Sequence, residues 1–593
     1  MTSDGARRAR PGPVPAVSVA AMPEPDPACI SLRWARALLT GLAAGGLRTL
    51  VLSPGSRSTP VVLAAQRTPE LELIPILDER SAGFFALGAA RASGRPVALL
   101  ATSGSAPAHW YPAVIEASET GVPLVLLAAD RPPTLRGFGA NQTIDQTRLF
   151  GAFAREAHDP GLPQPDAAAL AAVAALGRRC AAVALGPRPG PVQINLPFPE
   201  PLVPAPDCDT ALPEAVTTST AARGWPEQSA PDAGPCAAAL PPGRGLVVVG
   251  PGLFRPDFAP ALREAARRLA LPVLADPLSG LRFGAATDSV LTHYDALLRN
   301  AAVARALRPD WVLRFGGAPV SKVLGRWLTG VPALLVDPAG GWRDPEHGVL
   351  RRLVADPAAV CAALTPAGDL DPAWAARWEA AEHRVQALAA ARLADAPWCE
   401  AQMIRTLLAH IPPGEALLCA NSLPIRQLDT WSGSRAEALT VHGNRGASGI
   451  DGQLSSLAGL CHGGPPCWGL LGDLSAVHDL SGWLLAEHLR RPLIVIDNGG
   501  GRIFDYLPQH GLPGFEPLWR TPVAPGFAGL AAAFGLVHQR VTGADALKRA
   551  LDAATRNGAP ASARRALIEL GIDADASRSL HRAFWDAVAA AQL

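Results

Sequence analysis

Short apolar runs that alternate with helical segments constrain the fold of this chain more than any other feature. Four such runs lie in its first part, at Thr49–Ser53, Glu72–Leu77, Pro96–Thr102 and Pro123–Ala128, and each is almost continuously apolar. Continuous apolar strands with helices between them are typical of a parallel sheet that is covered on both faces. We therefore expect an α/β fold made of doubly wound parallel sheets.

The same pattern occurs three times along the 593 residues, which predicts three α/β domains. A Pro/Thr/Ser-rich stretch separates the first two units, and an Ala-rich helical stretch separates the last two. The predicted segments, in order, are a disordered N-terminal extension at 1–28, a first domain at 29–205, a linker at 206–243, a central domain at 244–370, a connecting helix at 371–395 and a third domain at 396–593.

The charge balance and the cysteines limit the kinds of partner and the compartment. Lys plus Arg is 53 and Asp plus Glu is 52, so binding of nucleic acid through bulk charge is not expected. The nine cysteines form no C-x-x-C pair, which predicts free thiols in a reducing, cytoplasmic setting. No apolar run reaches the roughly 18–20 residues of a membrane span. The Ala-rich stretch 167–185 contains Arg178 and Arg179 and is expected to be a helix followed by a short strand.

Two polar groups follow neighbouring predicted strands in the third unit. Gly472-Asp473 ends one strand, and Asn498 with three glycines ends the next strand 25 residues later. One right-handed crossover of that length places both side chains at the same sheet edge. A carboxylate, a carboxamide and an exposed Gly500 carbonyl suit Mg²⁺, which completes its shell with phosphate oxygens and water. The alternative is that Asp473 caps a helix and the glycines form a plain turn.

An acidic group stands at a comparable position in the first unit. Asp78-Glu79-Arg80 follows a predicted strand and precedes the apolar segment AGFFALGAA. A carboxyl group placed there is partly buried and can hold or share a proton, as a general acid or base requires. The alternative is a Glu79–Arg80 pair on the surface at the start of a helix.

Cationic side chains also occur in loops that follow predicted strands. Arg57, Arg131, Arg426 and Arg445 lie in such loops, and Lys322 has a similar position in the central unit. Arginine binds carboxylates bidentately, so this distribution points to an anionic substrate. Each residue taken alone is better explained by a structural ion pair or a helix end.

The spacing of Gly472-Asp473 and Asn498 resembles the diphosphate–metal motif of thiamine diphosphate enzymes. Longer strings resemble one family among them, the 2-succinyl-5-enolpyruvyl-6-hydroxy-3-cyclohexene-1-carboxylate synthases of menaquinone and phylloquinone biosynthesis. The resemblance runs in order from about residue 30 to 510. It rests on SPGSRSTP, DERSAGFFALG, TSGSAPA, ADRPP, GANQTIDQ, NSLPIRQLD, GNRGASGIDG, GDLSAVHDL and NGGGRIF.

The resemblance implies a pyrimidine-binding first domain, a central domain and a diphosphate-binding third domain. It implies a homodimer, or a dimer of such dimers, with active sites between subunits. The implied transferase reaction decarboxylates 2-oxoglutarate on thiamine diphosphate and adds the succinyl carbanion equivalent to isochorismate. This is a Stetter-like 1,4-addition in the cytoplasm.

The resemblance also assigns roles to residues. Glu79 would activate the aminopyrimidine of the cofactor, and Ile450 would hold the cofactor in its bent shape. Gly472, Asp473, Leu474, Ser475 and Asn498 would contact the cofactor, while Asp473, Asn498 and Gly500 would hold Mg²⁺, or Mn²⁺ in its place. The implied substrate-binding residues are Ser56, Arg57, Arg131, Gln142, Lys322, Ser422, Arg426, Arg445 and Ile503.

The chain departs from the family pattern at a few positions. Asp497 stands where Asn is common before the metal-binding Asn, and Val323 follows Lys322 where a second basic residue is often found. Two alternatives stay open at this point. One is another thiamine diphosphate enzyme, such as an acetolactate synthase or a 2-oxoacid decarboxylase, and the other is a non-catalytic protein that has kept the fold.

Overall fold

The structure, a computed structural model, describes most of the chain. The described residues are 26–214, 216, 239–284, 290–366, 368, 371, 373–522, 526–556 and 564–592. Residues 1–25 of the predicted N-terminal extension and much of the predicted linker therefore lie outside the described residues, whereas Pro27 and Ala28 at the end of that extension are helical. The first helix begins at Pro27, where the Asp26 side chain accepts the Ala28 N–H at 3.0 Å as an N-cap.

A six-stranded parallel sheet forms the first unit. Its strands are β1 (Thr49–Leu52), β2 (Glu72–Pro75), β3 (Val97–Ala101), β4 (Leu124–Asp130), β5 (Ala157–His158) and β6 (Val192–Pro197). They lie in the order β2-β1-β3-β4-β6-β5. The main helices are Pro27–Ala44, Thr59–Gln66, Glu79–Ser93, Tyr111–Thr120 and Ala167–Leu185, with 3₁₀ turns at Pro107–Trp110, Pro133–Leu135 and Gly151–Phe153.

The central unit has a second parallel sheet of six strands and a two-stranded one. Its strands are β7 (Ala239–Leu240), β8 (Gly245–Val249), β9 (Val273–Ala275), β10 (Val290–Leu291), β11 (Trp311–Phe315), β12 (Ala333–Val336), β13 (Val349–Leu353) and β14 (Thr365–Pro366). The larger sheet has the order β10-β9-β8-β11-β12-β13, and β7 pairs with β14. The helices are Phe258–Leu269, Tyr294–Leu297, Ala301–Ala306, Lys322–Leu328 and Pro357–Ala363, and the long helix Ala373–Ala394 leads to the third unit.

The third unit repeats the arrangement of the first. Its strands are β15 (Ala416–Cys419), β16 (Thr440–His442), β17 (Cys467–Gly472), β18 (Leu493–Asp497), β19 (Val537–Val541) and β20 (Ala566–Gly571), in the order β16-β15-β17-β18-β20-β19. The α-helices are Glu400–His410, Leu423–Trp431, Gln453–Gly463, Asp473–His478, Phe527–Ala533, Ala544–Thr555 and Ala574–Ala590. Shorter segments are the 3₁₀ helices Leu480–His488 and Arg502–Tyr506 and the π-helical turn Glu516–Arg520.

These three sheets confirm the predicted fold class, doubly wound parallel α/β. Strands such as β3 and β4 are buried along their whole length, as their continuous apolar sequences predict. In the third sheet the chain runs from β15 out to β16 and returns to β17 on the other side of β15. Ligands of doubly wound sheets bind at the carboxyl ends of the strands at such a reversal. The fold therefore directs attention to the residues that follow β15, β17 and β18.

Glycines bring the first and third units into close contact. The helix Glu79–Ser93 packs against the helix Gln453–Gly463. A Cβ at Gly88 would collide with the Ser456 carbonyl oxygen, and a Cβ at Gly459 would collide with the Phe85 carbonyl oxygen. Only glycine allows the two backbones to approach this closely.

The structure corrects the expectation that every cysteine is a free thiol. Cys29 and Cys208 form a disulfide that joins the first helix to the segment after β6. The two residues are 179 positions apart, so their sequence spacing contained no sign of the pairing. Six other cysteines are free and buried, and Cys236 lies outside the described residues.

The Ala-rich stretch is one continuous helix, Ala167–Leu185, and the expected strand does not occur within it. Arg178 and Arg179 lie within this helix and do not interrupt it. The next strand along the chain, β6, begins at Val192. By length and composition the helix could cross a membrane, which by itself is weak evidence. Leu170, Val173 and Ala174 are among its buried residues, and it packs on the first helix of the chain.

Candidate active site

Asp473 is held at the end of β17 by backbone N–H groups from two directions. Its side chain is 4% exposed. Oδ1 accepts the Leu474 N–H at 2.7 Å, and Oδ2 accepts the N–H groups of Gly499 at 3.1 Å and Gly500 at 2.6 Å. These bonds join the ends of β17 and β18, so Asp473 is more than the helix cap of the alternative interpretation.

Asn498 is oriented by a buried acid that the sequence did not single out. Its Nδ2 donates to Oε1 of Glu400 at 2.8 Å, and Gln427 donates to the other Glu400 oxygen at 2.8 Å. Glu400 is 1% exposed. Burial raises the pKa of Glu400 to about 7, although hydrogen bonds from Asn498 and Ser577 favour its charged form.

Gly500 needs to be glycine in this structure for two reasons. Its φ is +104°, in the left-handed region, and a Cβ would collide with the Arg520 carbonyl oxygen. Its own carbonyl accepts the Arg502 N–H at 2.7 Å and keeps a second lone pair. The glycine turn is therefore a tight backbone site and not a plain loop.

The donors at this edge suit a hard divalent cation. Among the described residues, Asp473 forms no ion pair with Lys, Arg or His. Burial, with a smaller contribution from the nearby charge of Asp497, raises its pKa to about 6. A cation would stabilise the charged carboxylate, and Asn498 Oδ1, opposite the Nδ2 that faces Glu400, adds a neutral oxygen. Carboxylate, carboxamide and carbonyl oxygens are ligands that Mg²⁺ prefers.

A cavity of about 170 Å³ lies over these groups. All of its lining residues belong to the third unit, and Glu79 is not among them. They include the predicted cofactor residues Ile450, Leu474 and Ser475 as well as Ile503. The complete lining is Asn421, Ser422, Leu423, Pro424, Ile450, Gly472, Asp473, Leu474, Ser475, Ile496, Asn498, Gly500, Gly501, Arg502, Ile503 and Phe504.

Glu79 is the first residue of its helix, and its side chain is half-buried. Asp78 caps this helix by accepting the Ser81 N–H at 3.1 Å. Arg80 donates to the His478 carbonyl at 3.1 Å and forms no ion pair with Glu79 within the described chain. The surface Glu–Arg pair of the alternative interpretation is therefore not what the structure contains.

Three of the predicted substrate residues lie together at the carboxyl edge of the first sheet. Arg131 donates to Ser103 Oγ at 2.5 Å and to the Gln142 carbonyl at 2.6 Å. Burial and the nearby positive charge of Arg57 lower the pKa of Arg131. Arg57 is buried and pairs with Glu200 at 2.8 Å, so its guanidinium also has a structural partner. Ser56, next to Arg57, is exposed.

A second group of predicted substrate residues follows β15. Arg426 Nη1 donates to the Ser422 carbonyl at 2.5 Å, and Arg445 Nη1 donates to Asn421 Oδ1 at 2.9 Å. Burial and the charge of Arg445 lower the pKa of Arg426, as expected for two neighbouring cations. Ser422 has a φ of +72°, a strained conformation for a residue with a side chain.

Lys322 has no described contact with these groups. It is the exposed first residue of the helix Lys322–Leu328, and no described hydrogen bond or ion pair joins it to Arg426 or Arg445. Val323, one of the departures from the family pattern, packs against the hydrophobic core. Asp497, the other departure, pairs with Arg540 at 3.2 Å.

Sequence reasoning missed three polar residues that shape the cavity. Glu400 orients Asn498, Asn421 binds Arg445, and Arg502 Nε donates to the Asn498 carbonyl at 2.7 Å. Arg502 and Asn421 belong to the strings NGGGRIF and NSLPIRQLD, so their place after a strand was a usable signal. Glu400 precedes the first predicted strand of the third unit and had no such signal.

The fold and the site together define a thiamine diphosphate enzyme. Residues 32–149 match the family model of the thiamine pyrophosphate enzyme N-terminal TPP binding domain. Residues 235–419 match the model of the middle domain of thiamine pyrophosphate enzymes.

Comparison with curated relatives identifies the family within this class of enzymes. Proteins of Dechloromonas aromatica, Geobacillus kaustophilus and Chloroflexus aurantiacus are 41%, 42% and 41% identical to this chain. The alignments cover 90%, 85% and 94% of this chain and 98%, 89% and 96% of the relatives. All three are named 2-succinyl-5-enolpyruvyl-6-hydroxy-3-cyclohexene-1-carboxylate synthase, and the chain belongs to that family.

Proposed function

We propose that this transferase decarboxylates 2-oxoglutarate with thiamine diphosphate and adds the succinyl unit to isochorismate in a 1,4-addition. The product is 2-succinyl-5-enolpyruvyl-6-hydroxy-3-cyclohexene-1-carboxylate, on the way to menaquinone or phylloquinone. The observation that carries the proposal is the convergence of Asp473, Asn498 and Gly500 on one cavity in a chain of this family. Other thiamine diphosphate enzymes share the cofactor, so the choice of substrates and product in this proposal rests on the family to which the chain belongs.

The diphosphate end of the site would be held by the third domain. Asp473, Asn498 Oδ1 and the Gly500 carbonyl supply oxygen ligands for Mg²⁺, or Mn²⁺ in its place. Gly472, Leu474 and Ser475 line the same cavity, and Ile450 supplies an apolar surface for the bound cofactor. Bound thiamine diphosphate supplies the electron sink that decarboxylation of a 2-oxo acid requires.

Glu79 would act on the pyrimidine end. Its carboxyl group would share a proton with a ring nitrogen of the bound cofactor. Such a hydrogen bond strengthens in a site from which water is excluded. Glu79 is only half-buried in the single chain. A second copy of the chain that packed against it would bury the carboxyl group fully.

The two ends would meet between two copies of the chain. Within one chain, the cavity at Asp473 has only third-domain walls, and Glu79 does not reach it. A symmetric homodimer would place Glu79 of each subunit over the cavity of the other, since a two-fold interface repeats every contact. Dimers of this kind can pair further into a tetramer. Each active site therefore needs both subunits.

The carboxylates of the two substrates would bind to the arginine groups. Arg57 and Arg131 lie near Gln142 in the first domain, and Arg426 and Arg445 lie beside Ser422 in the third. Each charge-assisted contact contributes about 1.5–3 kcal/mol. In each pair, burial and the charge of the neighbouring arginine lower the pKa of one member, Arg131 or Arg426, and a bound carboxylate would favour its charged form. Ser56, Lys322 and Ile503 complete the proposed substrate surface, with Lys322 reaching it through its flexible side chain.

The cytoplasm is the proposed location of the reaction. Six described cysteines are free and buried, which fits a reducing compartment, whereas the Cys29–Cys208 disulfide does not follow from that setting.

One assay tests the proposed function. The purified chain is incubated with 2-oxoglutarate, thiamine diphosphate and Mg²⁺, with and without isochorismate, and both CO₂ release and products are measured. We expect isochorismate-dependent product that requires both the cofactor and the metal. Turnover of pyruvate in preference to 2-oxoglutarate would point to an acetolactate synthase, and the absence of any cofactor-dependent turnover would point to a non-catalytic protein.

A further inference from the structure

Glu400 is a buried acid whose two oxygens are both used. It is the first residue of the helix Glu400–His410, and its Oε1 accepts Nδ2 of Asn498 while its Oε2 accepts Nε2 of Gln427, each at 2.8 Å. The backbone N–H of Glu400 donates to Ser577 Oγ at 3.1 Å. These bonds join four separate segments of the third domain at the back of the cavity.

The direction of each hydrogen bond in this group is determined by its members. Trp431 Nε1 can only donate, and it donates to Oε1 of Gln427 at 3.0 Å. The opposite end of the Gln427 amide therefore presents its NH₂ group to Glu400. Both Glu400 oxygens then act as acceptors, which is the behaviour of an ionised carboxylate.

This acceptor fixes the orientation of Asn498. A carboxamide has a donor end and an acceptor end, and only the donor end can face a carboxylate. With Nδ2 directed at Glu400, Oδ1 is the end that remains for the cavity that Asp473 also lines. A flipped amide would place Oδ1 against the carboxylate and N–H groups toward a cation.

We propose that Glu400 is a positioning residue that keeps Asn498 Oδ1 directed at the divalent cation. The inference rests on the metal site of the proposed function and adds a residue that no recognised motif includes. Outer partners that orient a metal ligand are typically worth 10–100-fold in metal affinity. Glu400 acts through Asn498 and touches neither substrate nor cofactor in this arrangement.

The test measures metal binding directly. Glu400→Gln keeps the size of the side chain but can accept or donate, so Asn498 loses its preferred orientation. We expect the dissociation constant for Mn²⁺, measured by electron paramagnetic resonance in the presence of thiamine diphosphate, to rise about 10–100-fold. The KM for 2-oxoglutarate at saturating Mn²⁺ should stay within about threefold, which a general loosening of the site would not allow.

A matched control is available in the same domain. Glu415 is also buried, at 7% exposure, and binds Trp468 Nε1 at 2.7 Å and Arg491, but it lies before β15, at the amino end of the sheet. Glu415→Gln should leave Mn²⁺ affinity unchanged. Equal Mn²⁺ affinity in wild type and Glu400→Gln, or equal losses in both variants, would overturn the proposal.

Two further measurements keep the result decisive. If Glu400→Gln fails to fold, Gln427→Leu leaves the carboxylate in place but removes one of its restraints, and it should raise the Mn²⁺ dissociation constant in the same direction. Unchanged Mn²⁺ binding in that variant then contradicts the proposal. Failure of the proposed function looks different, because wild type itself would then bind no Mn²⁺ with the cofactor present.

Discussion

The carboxylate of Asp473 accepts the backbone N–H of Gly500 at 2.6 Å, across the gap between β17 and β18. The bond sets the acid and the glycine turn in one rigid arrangement, with Asn498 between them along the chain. Backbone donors hold the carboxylate without using a cation of the protein. Within the described chain no Lys, Arg or His pairs with Asp473, as the proposed metal site requires.

Removal of that carboxylate should abolish metal-dependent cofactor binding. In Asp473→Ala, we expect the affinity for thiamine diphosphate with Mg²⁺, measured by calorimetry, to fall more than about 100-fold, beyond the effect of an outer partner. Asp545→Ala, on an exposed helix start, serves as a control with unchanged affinity. Unaltered affinity in Asp473→Ala would remove this residue from the metal site.

Glu79→Gln should lower turnover by about 10²–10⁴, the usual contribution of a positioned proton donor or acceptor. The reason is that the amide cannot share a proton with the pyrimidine ring. The variant is compared with Glu70→Gln, which changes an exposed acid of the same domain. Circular dichroism verifies the fold, and near-normal kcat in folded Glu79→Gln would exclude the assigned role.

Mixed dimers should reveal whether each site is shared between subunits. Glu79→Gln and Asp473→Ala chains carrying different tags are co-expressed, and each is also expressed alone. With shared sites, a heterodimer has one intact site and one that lacks both residues, so random mixing restores about a quarter of wild-type activity. If both residues came from the same chain, the mixture would be as inactive as either variant alone.

Arg426→Ala should weaken substrate binding more than cofactor binding. Loss of one charge-assisted contact raises the KM for 2-oxoglutarate or isochorismate about 10–100-fold, while thiamine diphosphate affinity changes little. Arg405→Ala alters an exposed arginine of the preceding helix and should leave both constants unchanged. A variant with normal KM values and weakened cofactor affinity would reassign Arg426 to the diphosphate.

His581 should make the fold sensitive to acid. It is 3% exposed against Trp585, and burial, followed by the charge of Arg299, lowers its pKa to about 3. Below the ordinary histidine pKa near 6.5, His581 binds a proton in the unfolded chain, whereas in the folded chain it stays neutral down to about pH 3. The free energy of unfolding therefore decreases as the pH is lowered from about 6.5 to 3, by up to about 1.4 kcal/mol per pH unit for this group.

His581→Phe keeps an aromatic ring against Trp431 and Trp585 and removes the titrating nitrogen. Its thermal midpoint should fall less steeply than that of wild type between pH 6.5 and 5, and exposed His383→Phe should follow wild type. Parallel pH profiles for wild type and His581→Phe would show that this histidine does not control the acid sensitivity.

The fold could be predicted because burial leaves a direct mark on the sequence. Strands such as β17 and β18 are largely apolar runs, and the positions of their ends alone predict that Asp473 and Asn498 lie at one edge. The adjacency of these two residues is a rule of parallel sheets. The local sequence pattern was therefore sufficient to predict both the fold and the shared edge of Asp473 and Asn498.

Contacts between segments that are far apart in the sequence could not be predicted from local sequence patterns. Glu400 and Asn498 are 98 positions apart, and the polar side chains that meet in the third domain have no common period. The Cys29–Cys208 pairing was missed for the same reason, since spacing cannot identify disulfide partners. Lys322 was predicted at a loop-to-helix position, and the structure does place it at the exposed start of a helix, whereas its role toward a substrate stays a prediction.

The contact through Gly88 and Gly459 has a consequence for how the chain can vary. The helix that carries Gly88 begins at Glu79, so a methyl group at either glycine would wedge the two helices apart and move the acid with its backbone. Alanine, the smallest possible replacement, would thus shift the acid without touching a reacting group, and in the proposed homodimer it would change how far Glu79 extends toward the neighbouring subunit. The lack of a side chain at these two glycines sets how closely the helix that carries Glu79 lies against the third unit.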